Sequence, residues 1–514
     1  MSVQAGSAEA AIDNTSPNPQ AKTVDVQLDR PLIIAMLRDD PEFFIHFFLA
    51  EQASHTVPEF HKLIFMEMTH ADVERLVLAI PRGHSKTTLA KLACVWYLLF
   101  SDFRFVLYVS GSHDLVVPYV NDIAAFFQTD NFVAVFGEVR WERKQDGNGV
   151  YKFRIPSLGN KLCILRGLGA GQRIRGVNVD NARPQLVVAD DIEDDEDTKS
   201  ALSHETMLNW WVGSFIKCLD QFKNKIIAAG NLTSKQSVLW KLLNGRRWRS
   251  YLMGCIRKDG TPLWPDMWPL DKLREDFLEY QDMGKTARWF AEMMNQPVAE
   301  GGGLIDSQHI CYRPARTRTE ISFGFITLDP AISRNSWADS AGLAAHGWVE
   351  EEQMWQVLEL SLHKGLTVVD LFFKATEMAK RWGFRLIGIE AAAMQAVLEQ
   401  TFNHYRLVYQ MPQYEFVPVP HGNHSKTERL KAWCDMMSTA NGRKPQYALT
   451  QGDFVATQQL LMYEPMKKDN KDDAIDTCAM GPIMTSRYLG KIMRQINDDL
   501  PQARLQSLAR ISPV

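Results

Sequence analysis

The chain holds two stretches in which short, continuously apolar runs alternate with longer runs of helical spacing. In the first, residues 76–80, 103–110, 162–165, 186–189 and 225–229 read as strands, because they are nearly continuously apolar and too short for buried helices. Residues 30–63, 89–99, 114–128 and 209–219 carry helical spacing around and between them. Strands apolar on both faces and separated by helices predict a parallel sheet covered on both sides. In the second stretch the order differs. Strands at 323–328, 342–348 and 354–362 follow one another directly, then come a helix at 367–382, a strand at 385–389 and a helix at 391–402. That order predicts a second α/β unit of different topology.

Between the two lies a segment of another kind. Residues 255–298 contain Pro262, Trp264, Pro265, Trp268 and Pro269, followed by a helical pattern. Gly301, Gly302 and Gly303 are the clearest linker signal in the chain. Residues 1–25, rich in Ala, Ser, Asn, Pro and Gln, predict a disordered lead-in. The predicted organisation is a first domain at 26–254, a linker subdomain and hinge at 255–304, a second domain at 305–490 and a tail at 491–514. No internal repeat is visible.

Composition narrows the class. With 514 residues the chain is too long for one ordinary core. Apolar residues make up 46% and charged residues 23%, as in soluble globular proteins. A net charge of −4 excludes a strongly basic nucleic-acid coat but leaves room for a local basic groove. The seven cysteines form no C-x-x-C pair, which argues against a zinc ribbon or disulfide framework and suits a reducing compartment. Neither a secretory leader nor a membrane-spanning apolar run is predicted.

The first candidate chemistry sits at the end of the first strand. Pro81-Arg82-Gly83-His84-Ser85-Lys86-Thr87-Thr88 is a tight basic turn leading into a helix, the placement of a phosphate-binding loop. Lys86 would reach the β- and γ-phosphates of a nucleotide and the Thr87 hydroxyl would hold Mg²⁺. The usual pattern would put glycine at Ile80 and Ser85, and neither is glycine. Such a loop needs a carboxylate on a neighbouring strand. Asp190 supplies one, emerging where the apolar run 186–189 ends, at the edge where ligands bind in open α/β sheets. A second carboxylate should orient the attacking water, and both Asp191 and Glu193 qualify. Asn231, in Gly230-Asn231-Leu232-Thr233, is placed to sense the γ-phosphate. Arg82, Arg166, Arg173 and Arg175 are candidates for stabilising transition-state charge, or for gripping a DNA backbone.

The second candidate chemistry is a set of acids at element ends. Asp329 closes the first strand of the second unit, and Glu390 closes its fourth. Asp472, Asp473 and Asp476 open the last helix, Asp473 and Asp476 on one face. Carboxylates converging from two strand tips and a helix suit a pair of Mg²⁺ or Mn²⁺ ions clamping a phosphodiester. Asp339 is a candidate fourth ligand. Lys426 and Arg429, following His421 to Ser425, are candidates for substrate-phosphate contacts, and Arg246, Arg247 and Arg249 with Trp248 form a basic and aromatic patch.

Taken together these residues resemble one family, the large terminase subunit of tailed bacteriophages. The resemblance spans about residues 40–485. It is carried by Pro81 to Thr87, by the run 183–193, by 263–268, by Asn295-Gln296-Pro297, and by Asp329, Glu390 and Asp473. It implies an N-terminal RecA-like (additional-strand) P-loop ATPase domain and a C-terminal RNase H/resolvase-like nuclease domain. It implies ATP and Mg²⁺ as cofactors, with Mn²⁺ an alternative in the nuclease site. It also implies double-stranded DNA, the portal protein and a small terminase subunit as partners, a ring expected to hold five copies, and work in the host cytoplasm, transiently on the procapsid portal and not in the mature virion. A role for Arg82 as a finger residue follows from the family's loop arginine. The family usually carries Glu directly after the metal-side Asp, where this chain has Asp191. A host-type repair helicase–nuclease, or a non-enzymatic capsid-associated DNA-binding protein, are the competing readings.

Overall fold

The computed structural model describes residues 29–493 apart from 50–55, 147–148, 173–176, 194–200, 299–302, 331–339, 392–395, 421–423, 466 and 468–469. Arg173, Arg175, Asp339, Gly301, Gly302 and the lead-in therefore lie outside the described residues.

Two mixed sheets organise the chain. The first contains β1 (Arg75–Ala79), β2 (Phe105–Ser110), β3 (Arg140–Asp146), β4 (Val150–Ile155), β5 (Lys161–Gly169), β6 (Leu186–Asp190), β7 (Lys225–Gly230) and β8 (Arg249–Leu252), in the order β3-β4-β5-β2-β6-β7-β1-β8. From β5 to β8 all neighbours are parallel, while β3 and β4 add an antiparallel hairpin at one edge. Residues on the parallel strands alternate between two cores, as a period of two requires. Leu76, Leu78, Val106 and Tyr108 face one core; Val77, Ala79, Phe105 and Leu107 face the other.

The second sheet contains β9 (Tyr312–Arg313), β10 (Phe323–Asp329), β11 (Ala341–Val349), β12 (Met354–His363), β13 (Leu386–Glu390), β14 (Glu415–Val419) and β15 (Tyr447–Thr450), in the order β14-β13-β10-β11-β12-β15-β9. The hairpins β10–β11 and β11–β12 are antiparallel, and β13 joins β10 in parallel after the helix Val368–Trp382. That helix starts with a Thr367/Asp370 capping box and stops at Gly383 in the left-handed conformation, φ 66°. No helix among the described residues is long and apolar enough to cross a membrane.

The segment at 255–298 does not form a core of its own. Its helices Leu270–Asp282 and Thr286–Met294 bury Leu273, Phe277, Trp289, Phe290 and Met293 against Phe454, Leu460 and Trp433 of the second unit. Trp289 and Phe290 are fully buried there. The reading of 255–304 as a linker thus meets a segment whose apolar side is continuous with the second sheet's core.

A fragment spanning 254–493 should therefore unfold in one cooperative transition. The shorter 305–490 fragment loses the partners of Phe454, and its melting midpoint should fall well below that of the longer one. Removing large aromatic contacts from a core typically costs about 3–5 kcal/mol each. Differential scanning calorimetry on both fragments checks this; equal midpoints would mean that the two helices contribute nothing to that core.

Candidate active sites

The C-terminal ends of β6, β7 and β1 lie side by side. Asp190 pairs with Ala229, and Gly230 pairs with Ala79, so three strand tips open onto one edge. The turn after β1 runs directly into the helix Lys86–Phe100. Gly83 takes φ 73° and Ser85 φ 62°, both left-handed. Ser85 therefore occupies, with a side chain, a conformation that the usual glycine would take freely, at a cost of roughly 1–3 kcal/mol. No side chain caps the Lys86 helix at Ser85. A Cβ on Gly83 would come within 2.9 Å of the Trp268 ring. Trp268 lies over the loop, its ring parallel to that of the buried His84 at 5.9 Å, and its indole N–H donates to the Gly83 carbonyl at 3.3 Å. Burial pushes the His84 imidazole down to about 4, so it is neutral at physiological pH.

Lys86 is buried, and its Nζ lies 2.7 Å from Asn231 Oδ1 and 3.0 Å from Asp191 Oδ2. Asp190 is 1% exposed. Its Oδ2 accepts from the Tyr108 hydroxyl at 2.9 Å, whereas Oδ1 has no hydrogen-bond partner among the described residues. Burial raises the Asp190 carboxyl to about 6; the neighbouring Asp191 adds to the rise, and Lys86, Thr87 and Tyr108 oppose it. An orphaned carboxylate oxygen beside a threonine hydroxyl has the hard-oxygen chemistry that Mg²⁺ takes. Thr87 and Asp190 thus fit the ion that the loop implies.

The two candidates for orienting water separate cleanly. Asp191, at φ 45°, donates its N–H to the Ala229 carbonyl, and its Oδ1 accepts from the Asn231 N–H at 3.2 Å. Its side chain is 45% exposed and faces Lys86. Glu193 turns away. Its Oε2 accepts from the Val238 N–H at 2.8 Å, at the start of the helix Val238–Leu243, and its Oε1 lies 3.2 Å from His204 Nδ1. Both oxygens of Glu193 are thus engaged, one at the start of that helix and one with His204, while Asp191 is the carboxylate that pairs with Lys86. Asn231 makes a hub: its Nδ2 donates to Ile80 O at 3.1 Å and to Glu292 O at 2.8 Å. Arg82 extends to Glu292 Oε2 at 3.1 Å. Arg166 sits in the middle of β5 opposite Leu107, away from the strand tips.

In the second sheet, the register Leu328↔Ile389 sets Asp329 and Glu390 next to each other at the ends of β10 and β13. Asp329 also pairs with Gly342 across the hairpin. A Cβ on Gly342 would meet Thr477 Oγ1 at 2.0 Å and Asp473 O at 3.1 Å, so the absent side chain lets the helix Asp473–Met493 start against this strand. Asp473 Oδ2 accepts from the Ser340 N–H at 3.3 Å. Beneath them lies a buried chain of polar contacts: Tyr447 to His346 Nδ1 at 2.7 Å, His346 Nε2 to Thr327 at 2.9 Å, and the Thr327 hydroxyl donating to Thr477 O at 2.9 Å.

Asp476 departs from the expected arrangement. Its Oδ2 lies 3.2 Å from Lys426 and its Oδ1 3.2 Å from Arg429, while Asp472 pairs with Lys426 at 2.7 Å. Asp476 is buried among these cations, and a carboxylate removed from water needs them. Lys426 and Arg429, expected at substrate phosphates, are engaged the same way. Arg249 pairs with Glu67, and Trp248 packs beside Trp211, so that basic patch is partly structural. Among the described residues no group of three His, Cys, Asp or Glu side chains is gathered closely enough to hold a metal ion. The backbone brings Asp329, Glu390 and Asp473 to one edge without closing their side chains into a cage.

Glu292, Tyr108 and Gly342 belong to no motif, and nothing in the sequence marks them as site residues. Trp268 does leave a signal, as part of the unusual Pro/Trp-rich stretch.

Two outcomes follow from the loop. Ser85→Gly should raise the melting temperature, since it removes the left-handed strain, whereas Gly83→Ala should lower it and weaken nucleotide binding; thermal melts with and without Mg²⁺-ATP check both. Asp190 gives a pH outcome. Its folded pKa of about 6 lies above the ordinary 3.8, so the folded state holds the extra proton between those values. Stability in the absence of ligand should fall as pH rises through that window, and the cost persists above it. Asp190→Asn should therefore melt higher than the parent at pH 7 yet lose its stabilisation by Mg²⁺-ATP.

No sequence-family model matches this chain, and no curated protein matches it. Among solved structures it is similar to the large terminase of a thermophilic bacteriophage in complex with ADP, at 10% identity and a TM-score of 0.33, over 84% of this chain and 100% of that one. It is similar to the HK97 bacteriophage large terminase at 12% identity and a TM-score of 0.35, over 88% and 99%. The P22 large terminase nuclease domain matches 37% of this chain and 93% of its own length, at 14% identity and a TM-score of 0.27. Likenesses this distant carry no weight on function.

Proposed function

We propose that this chain is an ATP-driven motor that moves double-stranded DNA and carries a second, DNA-cutting site, in the manner of a phage large terminase subunit. The observation that carries the reading is the buried Lys86 held by Asn231 and by Asp191, the residue next in sequence to the buried Asp190 at the tip of β6. A buried cation at the mouth of a helix N-terminus, beside a carboxylate with a spare oxygen, is suited to a nucleoside triphosphate.

The chemistry of the first site follows from its own residues. Lys86 exchanges Asp191 and Asn231 for phosphate oxygens, which bring more negative charge than one carboxylate. Asp191, released from Lys86, becomes the acceptor that orients the attacking water; the capping contacts of Glu193 favour Asp191 for this role. Arg82 faces the same edge and supplies positive charge as the γ-phosphate separates. Mg²⁺, held by Thr87 and Asp190, would neutralise the phosphates. When phosphate leaves, Lys86 returns to Asn231, whose amide also holds the Glu292 carbonyl. Loss of the γ-phosphate is thereby linked to the helix Thr286–Met294 and the second sheet behind it.

In the second site Asp329, Glu390 and Asp473 have the donor chemistry for Mg²⁺ or Mn²⁺, but their side chains as placed do not gather around an ion. The reading of this edge as a nuclease rests on three carboxylates brought together by β10, β13 and a helix, with Lys426 and Arg429 neutralising the neighbouring Asp472 and Asp476. Portal protein, a small terminase subunit and a homo-oligomeric ring are the partners such a motor requires.

Lys86→Ala should abolish DNA-stimulated ATP hydrolysis and leave metal-dependent plasmid cleavage largely intact. Asp473→Asn should do the reverse. Asp191→Asn should lower kcat for ATP by a factor on the order of 10² to 10⁴, as expected for loss of a general base, and Glu193→Gln should lower stability more than kcat. Coupled-enzyme ATPase and gel-based cleavage assays read all four; loss of both activities in either of the first two variants would contradict two separate sites.

A further inference from the structure

Glu292 lies outside every motif, yet it meets the loops after β1 and β7 through both its side chain and its backbone carbonyl. The helix Thr286–Met294 is amphipathic, with Trp289, Phe290 and Met293 in the second core. Glu292 leaves that core and meets the phosphate loop. Its Oε2 lies 3.1 Å from the Arg82 guanidinium, and its backbone carbonyl accepts from the Arg82 N–H at 3.0 Å. The same carbonyl accepts from Asn231 Nδ2 at 2.8 Å. One turn on, Asn295 Oδ1 accepts from the Leu232 N–H at 2.8 Å.

The carboxylate itself is buried and held at both oxygens. Its side chain is 5% exposed, its Oε1 is fixed by Arg288 Nε at 2.6 Å, and Tyr280 donates to Oε2 at 3.3 Å. The Arg82 side chain, by contrast, is 65% exposed and has many rotamers open to it. A rigid acceptor against a mobile guanidinium has one effect: it selects an orientation. Salt-bridge strength is not the point, because a pair exposed on one side contributes little to stability. An orientation fixed in advance matters for catalysis, where a small displacement of a charged group costs rate.

We propose that Glu292 is a positioning residue for Arg82, holding its guanidinium over the phosphate loop in the direction of the γ-phosphate. This rests on the reading of the first site as an ATPase. Because the Glu292 helix is built into the second core, the rate of hydrolysis becomes sensitive to how the second half of the chain sits on the first.

The test is a double-mutant cycle on the full chain with steady-state ATP hydrolysis. Glu292→Gln keeps shape and hydrogen-bonding capacity but removes the charge; Glu292→Asp keeps the charge and draws it back by one methylene. Both should lower kcat, by a factor on the order of 10 to 10², with KM for ATP changed less than about threefold. Arg82→Ala should lower kcat at least as far, and Arg82→Ala combined with Glu292→Gln should be no slower than Arg82→Ala alone. Melting temperatures of the Glu292 variants should stay close to that of the parent. Multiplying effects in the double variant, or a fall in melting temperature with kcat intact, would overturn the proposal and leave Glu292 as a staple between domains. Lys86→Ala is run alongside: full hydrolysis in that variant would instead overturn the ATPase reading itself.

Discussion

A lysine ammonium buried at the start of a helix, beside three strand tips, has to be compensated, and much of this molecule can be understood as the means of compensating Lys86. Taking a cation out of water costs several kcal/mol unless opposite charge and hydrogen bonds replace the solvent. Asp191 supplies the charge and Asn231 the amide oxygen. Each comes from a different strand tip, so the lysine ties β6 and β7 to the loop after β1. The compensation is also incomplete by design of the neighbourhood. Asp190, lying beneath, is held part-way towards protonation and keeps one oxygen without a partner. In the proposed reading, a triphosphate with its metal ion would relieve both deficits at once.

The coupling between the two halves is polar on one side and apolar on the other. Glu292, Asn295 and Trp268 grip the loops after β1 and β7 through hydrogen bonds and ring contacts. Trp289, Phe290 and Met293 on the same segment are locked into the second core. Hydrogen bonds of about 1 kcal/mol each can exchange partners on a catalytic cycle, whereas a close-packed aromatic core deforms only as a unit. The Asn231 side chain is thus joined, through the Glu292 carbonyl, to a segment packed into that core. The salt bridge between Lys235, just beyond Asn231, and Glu464 is a second, weaker tie between the halves.

The central apolar strands of both sheets were legible in the sequence, because strands buried on two faces leave few polar positions to confuse the period, whereas the short strands β14 and β15 were not read. The placement of the turn 81–85 after β1 and of Asp190 at the tip of β6 was legible for the same reason, since a strand end fixes where the next residues lie. The hairpin β3–β4 was not: Arg140, Glu142, Arg143 and Lys144 give β3 a charged, edge-strand composition with no apolar period. The helix expected at 209–219 begins earlier, at Ala201, and from Trp211 loosens into a wider turn, which spacing alone does not reveal. Glu193 was read as a candidate for orienting water and Asp476 as a candidate metal ligand, because a sequence shows charge but not which partners hold it. One caps a helix beside His204, and the other neutralises Lys426 and Arg429. Ser85 carries the opposite lesson. A residue that breaks the loop pattern on paper adopts the left-handed conformation the pattern demands.

The central claim is that Lys86 trades Asp191 and Asn231 for phosphate. A crystal structure of the full chain with Mg²⁺ and a slowly hydrolysed ATP analogue tests it most directly. The account expects Lys86 Nζ within hydrogen-bond distance of the β- and γ-phosphates, Asp190 and Thr87 turned to the ion, and Asp191 freed to face the γ-phosphate. A nucleotide bound elsewhere, or one bound in the loop while Lys86 still holds Asp191 and Asn231, would contradict it.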